Sequence, residues 1–460
     1  MYTRFLVFVT TVSLSGAAAP MPGRVLQTAR APLAAAQPTQ PAQHADVREL
    51  LASARGVAAS VCALASDGAS NWGGGWDAPD LAVAGDVHQL VRNLRRSVLT
   101  DAESRALLDA LGSDDPCVRH MAGTLIGRSG DHAFVADLVD KLSAQSPNER
   151  AGATRALGLL GDRSAVDAVI KTLGDRTSPV RANAAWALGR IGDRRATPDV
   201  APLTRDTSAD VRAAAVTTLG QLHYTDNIDV LLRVLREDSN AEVRRTAAWA
   251  LGQLSSRTAS EGLANAMRND KSADVREMSA WALGELHARD FADALTSTLK
   301  SDGDERVRET AAWALGELEV RKAADALADA VANDKSTRVR GTAAWAVGQL
   351  NPGRAPQPLI GALRDADDDV RLKVAWALSQ IHDSEALPAV TAALKTEQVD
   401  RVRQVMVRAL LESGERSTET FQSLLESTDK DTREMAVRAL AGRRGPWPWP
   451  WPWPRPRPFP

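Results

Sequence analysis

Six tryptophans recur on one spacing, and the carboxylates beside two of them are the residues with the most chemistry to offer. Trp186, Trp249, Trp281, Trp313, Trp345 and Trp376 each follow an arginine by five residues. Glu277 and Glu285 stand four residues either side of Trp281, and Glu309 and Glu317 flank Trp313 in the same way. Residues four apart on a helix share a face, so each row sets an indole between two carboxylates. That combination suits a cationic group such as the arginine of a peptide. The other rows are Ala182-Trp186-Arg190, Arg245-Trp249-Gln253, Gly341-Trp345-Gln349 and Leu372-Trp376-Gln380. A second reading stands beside the first: each ring is packing, laid across the second helix of the next unit.

Metal chemistry is not expected. His223, His287 and His382 each follow an arginine by eleven residues. They lie two and three units apart, roughly 20–30 Å at ordinary helix spacing, too far to share an ion. No nucleophile, base and orienting group fall into a catalytic pattern. The reading therefore leans away from an enzyme and implies no cofactor.

The elements that must position these residues follow one period. Its anchor is an arginine, at Arg119, Arg150, Arg181, Arg212, Arg244, Arg276, Arg308, Arg340, Arg371, Arg403 and Arg433, with steps of 30 to 32 residues. A representative unit reads DALADAVANDKSTRVRGTAAWAVGQL: an amphipathic helix, a polar turn and a second helix. Neither helix buries its apolar stripe alone, so neighbours must stack into one core. At about 100° per residue, Val307, Ala311, Leu315 and Leu318 gather on the core side. Trp313 falls about 150° away from them, between Glu309 and Glu317. Six such rings in register, over roughly 50–60 Å at helix spacing, would make an apolar strip of the kind that marks an interaction site.

Two further positions repeat. Asp175, Asp206, Asp238, Asp270, Asp302, Asp334 and Asp365 stand six residues before Arg181, Arg212, Arg244, Arg276, Arg308, Arg340 and Arg371. An arginine–aspartate ladder between neighbouring turns, with Arg308 tied to Asp302, would hold the loops and fix the stacking angle. Gly158, Gly189, Gly220, Gly252, Gly284, Gly316 and Gly348 stand eight after their arginines. No strand precedes them, so they read as sites of close helix approach and not as a phosphate cradle. At the tryptophan position the outer units carry Thr124, Arg155, Arg408 and Arg438, and they read as polar-faced caps.

The pattern L-x-x-x-L-x-D-x-x-x-x-V-R-x-x-A-A-x-A-L-G resembles the short HEAT-like repeat of the phycobilisome-lyase type, over about eleven units and residues 101–441. The resemblance implies an all-α, armadillo-like, right-handed α-solenoid whose second helices line the concave face. It also implies a scaffold for a protein or peptide partner. Alternatives within that resemblance are a chromophore-lyase-like or deoxyhypusine-hydroxylase-like enzyme or subunit, and a binder of envelope glycans through the tryptophans. The chain has no His-Glu dipeptide of the kind the hydroxylase uses for iron.

The remaining segments frame the array. Phe5–Leu14 is apolar after Arg4 and before small residues, a signal-peptide pattern with cleavage after residue 19 or 36. Export to the periplasm or the extracellular space follows, with membrane association as the variant. Residues 20–45 form an Ala/Pro/Gln-rich linker, and residues 46–100 read as a helical cap with a Gly/Trp loop. In an exported chain the two cysteines, Cys62 and Cys117, are permitted to pair. The net charge of −2 gives no bias toward nucleic acid. Residues 442–460 end in PWPWPWPWPRPRPFP, where alternating proline forbids helix and the Trp/Arg content favours a membrane interface or a partner groove. Reaching roughly 45 Å as polyproline II, this tail could also lay Arg455 and Arg457 into the Glu–Trp rows. Composition does not fix the oligomeric state.

Overall fold

The computed structural model describes residues 99–223, 225–412, 418–426 and 430–440. The leader, the linker, residues 46–98 of the expected cap with Cys62, and the tail lie outside them. The described residues form an all-α solenoid, and no helix among them is long and apolar enough to cross a membrane.

Helices alternate between two layers. The first layer comprises α1 (Asp101–Ala110), α3 (Phe134–Lys141), α5 (Val166–Thr172), α7 (Thr197–Val200), α9 (Ile228–Glu237), α11 (Ser260–Asn269), α13 (Ala292–Ser301), α15 (Ala324–Asn333), α17 (Gln357–Gly361), α19 (Leu387–Thr396) and α21 (Thr418–Leu425). The second comprises α2 (Pro116–Ser129), α4 (Pro147–Leu160), α6 (Ser178–Ile191), α8 (Ala209–Gln221), α10 (Ala241–Gln253), α12 (Ala273–Glu285), α14 (Glu305–Glu317), α16 (Thr337–Leu350), α18 (Asp368–Ile381), α20 (Asp400–Glu412) and α22 (Lys430–Leu440). Each anchor arginine lies in the first turn of a second helix.

The reason for close stacking is visible in the side chains. Second helices are rich in alanine, which loses little entropy in a helix and lets axes approach. Consecutive second helices pack on each other far more extensively than consecutive first helices do. The array therefore bends toward the second layer, which forms the inner face. One apolar cluster runs unbroken from Leu107 to Leu410, and Val307, Ala311, Leu315 and Leu318 are all fully buried. Each such leucine contributes about 1.5–3 kcal/mol relative to exposure.

The ladder exists, but its rungs run forward to the next unit. Arg308 donates through Nε and Nη2 to both carboxylate oxygens of Asp334, at 2.8 and 2.9 Å. Its Nη1 donates to the main-chain carbonyl of Asp302 at 2.9 Å, so the expected Arg308–Asp302 ion pair is replaced by a carbonyl contact. The same forked pairing joins Arg150 to Asp175, Arg181 to Asp206, Arg212 to Asp238, Arg244 to Asp270, Arg276 to Asp302 and Arg340 to Asp365. Arg371 takes Glu397, which a search for aspartate alone passes over. Each carboxylate also accepts the amide two residues on, as Asp334 does from Ser336 at 2.8 Å, and so turns its own loop into the following helix.

From Arg119 to Arg371, the residue eleven after the arginine has a conformational role. Gly130, Gly161 and Gly192 hold it at φ near +70°, the left-handed turn that ends a helix. Later units place His223, Ser255, His287, Glu319, Asn351 and His382 there, at φ between 40° and 56°. The three histidines in register are therefore helix terminators, all exposed. At the C-terminal end the expected polar cap is not what the structure shows. Leu425, Val437 and Leu440 are exposed there, and the last pair packs on a small separate cluster of Val407, Phe421, Leu424 and Ala436.

Two predictions follow from these geometries. A side-chain-bearing residue in the left-handed region costs about 1–2 kcal/mol, whereas glycine forfeits about 0.4–1 kcal/mol through the unfolded chain. Glu319→Gly is expected to raise the thermal midpoint, since its ion pair with Arg289 is exposed and spans 3.7 Å. The second prediction concerns pH. In six of the ladder carboxyls burial pushes the pKa up, but the arginine and backbone hydrogen bonds and the guanidinium charge outweigh it. Asp175 is held down at about 2, and Asp206, Asp270, Asp334, Asp365 and Glu397 are also lowered. Depressed carboxyls stabilise the fold above their unfolded pKa of about 4, and that contribution disappears as pH falls through the folded value. Urea midpoints are expected to hold from pH 7 to about 5 and then drop steeply between about pH 4 and 2.

Candidate inner-face binding site

The tryptophans leave the second helices on the inner side, then turn sideways onto the preceding unit. A Cβ built on Gly284 would lie 2.8 Å from Cζ3 of Trp313, and the same construction gives 2.8 Å for Gly316 and Trp345 and 2.6 Å for Gly348 and Trp376. Gly158, Gly220 and Gly252 receive Trp186, Trp249 and Trp281 in the same way. The glycine eight after one arginine is thus the seat for the ring five after the next. After Trp376 the following unit has Arg408 in place of a tryptophan, and the seat becomes Ser379.

This changes the expected strip. Trp186 and Trp313 are 2% exposed and Trp376 is 7% exposed. Trp249, Trp281 and Trp345 are half-buried. The rings are a packing layer with three open edges and not a continuous aromatic surface. The packing alternative also needs its direction reversed, because each ring crosses the preceding helix. Trp313 Nε1 is buried with no acceptor among the described residues. Arg155 occupies the tryptophan position of α4 and sits 5.1 Å from the ring centroid of Trp186 in the next unit.

The four glutamates divide by position. Glu277 and Glu309 stand one residue after their arginines, and each meets an arginine of the next unit. Arg306 lies 3.5 Å from Glu277 and 2.8 Å from Asp274, and Arg338 lies 2.6 Å from Glu309. Burial pushes the Glu277 carboxyl up and Arg306 opposes it. Lys373 folds over Gly341, its Nζ 3.0 Å from where a Cβ would stand. Burial lowers its pKa, and the charge of Glu309 opposes that shift. Glu285 and Glu317, nine after their arginines, make no ion pair or hydrogen bond among the described residues and are half-buried.

Arg306 and Arg338 escape a search restricted to the tryptophan rows. The signal for them is an arginine two before the anchor, 29 residues after a glutamate one past the previous anchor. Toward the N-terminal end the inner face turns basic. Burial, with the charges of Arg155 and Arg128, holds His120 down at about 4, and burial followed by Arg128 lowers Arg155 to about 10. His120 is therefore neutral at pH 7. Cys117, at the start of α2, is disulfide-bonded; the other cysteine of the chain, Cys62, lies outside the described residues. Among the described residues no group of three or more His, Cys, Asp or Glu side chains is placed to hold a metal.

The model of HEAT repeats matches residues 135–208, 200–277, 260–348 and 325–411, together more than half of the chain. The chain belongs to the HEAT-repeat family. No curated protein shows significant sequence similarity to it. Among solved structures it is similar to Kap95p with RanGDP, at 15% identity and a TM-score of 0.55, covering 86% of this chain and 63% of that one. It is equally similar to Kap95 in a complex with Nup1, at 15% identity and a TM-score of 0.53, covering 86% and 64%. The E. coli protein YibA matches at 19% identity and a TM-score of 0.45, over 58% of this chain and 97% of that one. At these identities the likeness is one of fold.

The seating of the rings makes a prediction. Gly284→Ala normally favours a helix by about 1 kcal/mol. Here the new methyl meets Cζ3 of Trp313, and overpacking of this kind costs about 1–3 kcal/mol. Urea melts are expected to show a lower midpoint for Gly284→Ala, and recovery of part of the loss in the double variant with Trp313→Leu. An unchanged or raised midpoint for the single variant would place the ring elsewhere.

Proposed function

We propose that this HEAT-repeat chain is a non-catalytic scaffold that binds an extended, basic segment of a partner protein along its inner face. The observation that carries this reading is the open carboxylate pair, Glu285 and Glu317, on adjacent second helices. They belong to a row nine after the arginines that reads Arg190, Gln221, Gln253, Glu285, Glu317, Gln349, Gln380. Amides and carboxylates both bond to peptide groups, and carboxylates add charge-assisted bonds to arginine or lysine. Second helices repeat about every 8–10 Å, and an extended chain rises about 3.3 Å per residue. Every third residue of such a segment therefore meets the next member of the row. The half-exposed edges of Trp249, Trp281 and Trp345 lie beside it and offer contact to aliphatic stems. The Kap95 structures, which contain the proteins RanGDP and Nup1, support protein binding by a solenoid of this kind through likeness of fold.

Two finer readings accompany this one. The short repeat length and the V-R-x-x-A-A-x-A-L-G core support the phycobilisome-lyase-type subclass of HEAT repeat. The apolar N-terminus supports export, and a disulfide-bonded Cys117 fits an oxidising compartment.

Calorimetric titration with a short Gly/Ser peptide carrying two arginines three residues apart tests the binding reading. Affinity is expected to weaken with salt. In the double variant Glu285→Gln, Glu317→Gln it is expected to weaken about tenfold or more, equivalent to at least about 1.4 kcal/mol, with the thermal midpoint unchanged. Equal affinity for the variant, or for a peptide with both arginines replaced by glutamate, would refute the assignment.

A further inference from the structure

The C-terminal end of the array is apolar where every inner unit is covered. Val437 and Leu440 stand four and seven residues after Arg433 and are 54% and 57% exposed. The same two positions in α14 are Ala312 and Leu315, both 0% exposed, and in α20 they are Val407 and Leu410, also 0%. With Leu425, at 38%, these are the exposed large hydrophobic side chains among the described residues, and all three lie on the last helix pair. A solenoid end of this kind needs a cover. Beside Val437 is an open hollow lined by Lys430, Arg433, Glu434 and Arg438.

We propose that residues 446–460 fold back over α21 and α22 and cap this end, with their indoles lying on Val437 and Leu440 and against Arg438. Arg438 stands five after its anchor, the place Arg155 holds near the other end. Arg155 there receives the ring of Trp186 from the following unit at 5.1 Å. After Arg438 the following sequence supplies Trp447, Trp449, Trp451 and Trp453. The alternating prolines carry no amide proton, so the segment covers an apolar surface with few donors left to satisfy. The segment starts six residues past Leu440, and so short a link gives an effective concentration in the millimolar range. A second copy docked by the same end would oppose Lys430, Arg433 and Arg438 to their own images. In the tail's alternative place, the Glu–Trp rows, Arg306 and Arg338 already claim Glu277 and Glu309, and only Glu285 and Glu317 are left to it.

Hydrogen exchange read by mass spectrometry on the full chain and on a chain ending at Gly445 tests this. Deletion is expected to speed exchange in residues 418–440 at least tenfold and to leave α10 to α16 unchanged. A synthetic peptide of residues 446–460, added in trans, is expected to restore protection, and the same peptide with its four tryptophans replaced by alanine is expected not to. The full-length variant with those four alanines provides the same reading without truncation. Equal protection of 418–440 with and without the tail overturns the proposal, as does equal rescue by the alanine peptide. A full chain that sediments as a dimer, and becomes monomeric on Val437→Glu, would give the end to a second copy and also overturn it.

Discussion

Eight successive units of this protein, those of Arg150 to Arg371, each share one arginine between two loops. Arg308 holds the carbonyl of Asp302 in its own loop and the carboxylate of Asp334 in the next, and the side chains of Arg308 and Asp334 are 6% and 9% exposed. A buried pair of this kind is weak evidence for net stability, because desolvation offsets much of the attraction. Its value is geometric. The guanidinium fork fixes the distance and the tilt between consecutive loops, and the bound carboxylate simultaneously turns its own chain into the second helix. Eight such pairs in succession, from Arg150–Asp175 to Arg371–Glu397, set one repeated displacement, and a repeated displacement is what makes a solenoid.

The loops fix one edge of each interface, and the glycine–tryptophan seat fixes the middle. Without a side chain at Gly284, α12 lets the flat ring of Trp313 and the backbone of α14 come in together. The second layer is then tighter than the first, so the array curves toward it. The inner face that results is narrow in composition. The edges of Trp249, Trp281 and Trp345 line it, and the row nine after the arginines adds amides and carboxylates. Where charges meet across units, as in Arg306 with Asp274 and Glu277, they are spent on joining neighbours. Glu285 and Glu317 take part in no such joint among the described residues.

The fold was legible because a period of about 31 with two amphipathic stretches admits few arrangements. The buried stripe of Val307, Ala311, Leu315 and Leu318 follows from helical angle alone. Two details were not legible, and the reasons differ. Asp302 is six residues from Arg308 and Asp334 is 26, so nearness along the chain points to the wrong carboxylate; only the stack brings the distant one closer. For Trp313 the helical angle gives the correct side of the helix but not the destination of a long ring. The side-chain torsions carry it sideways to Gly284, whose meaning is clear only once the two positions are read as a pair across units. The histidines show a third limit: spacing revealed that they share a position, and only the backbone angle shows that the position is a left-handed turn also filled by Gly161, Ser255 and Glu319.

The ends of the array follow from the same logic as its middle. A repeat interface is two-sided, so stacking any number of units leaves one face of the first and one of the last without a neighbour. Polar substitution can make such a face soluble, and Arg438 in place of tryptophan is a step in that direction. It is an incomplete one, because the four- and seven-residue positions remain Val437 and Leu440, chosen as if another helix were to come. From Pro446 on every second residue is proline, a pattern that does not continue a helix. This segment does hold the ring type that six inner units lay against their predecessors. Six units of the array accept an indole from the next, and the segment after the last described helix is able to present indoles without the cost of building another unit.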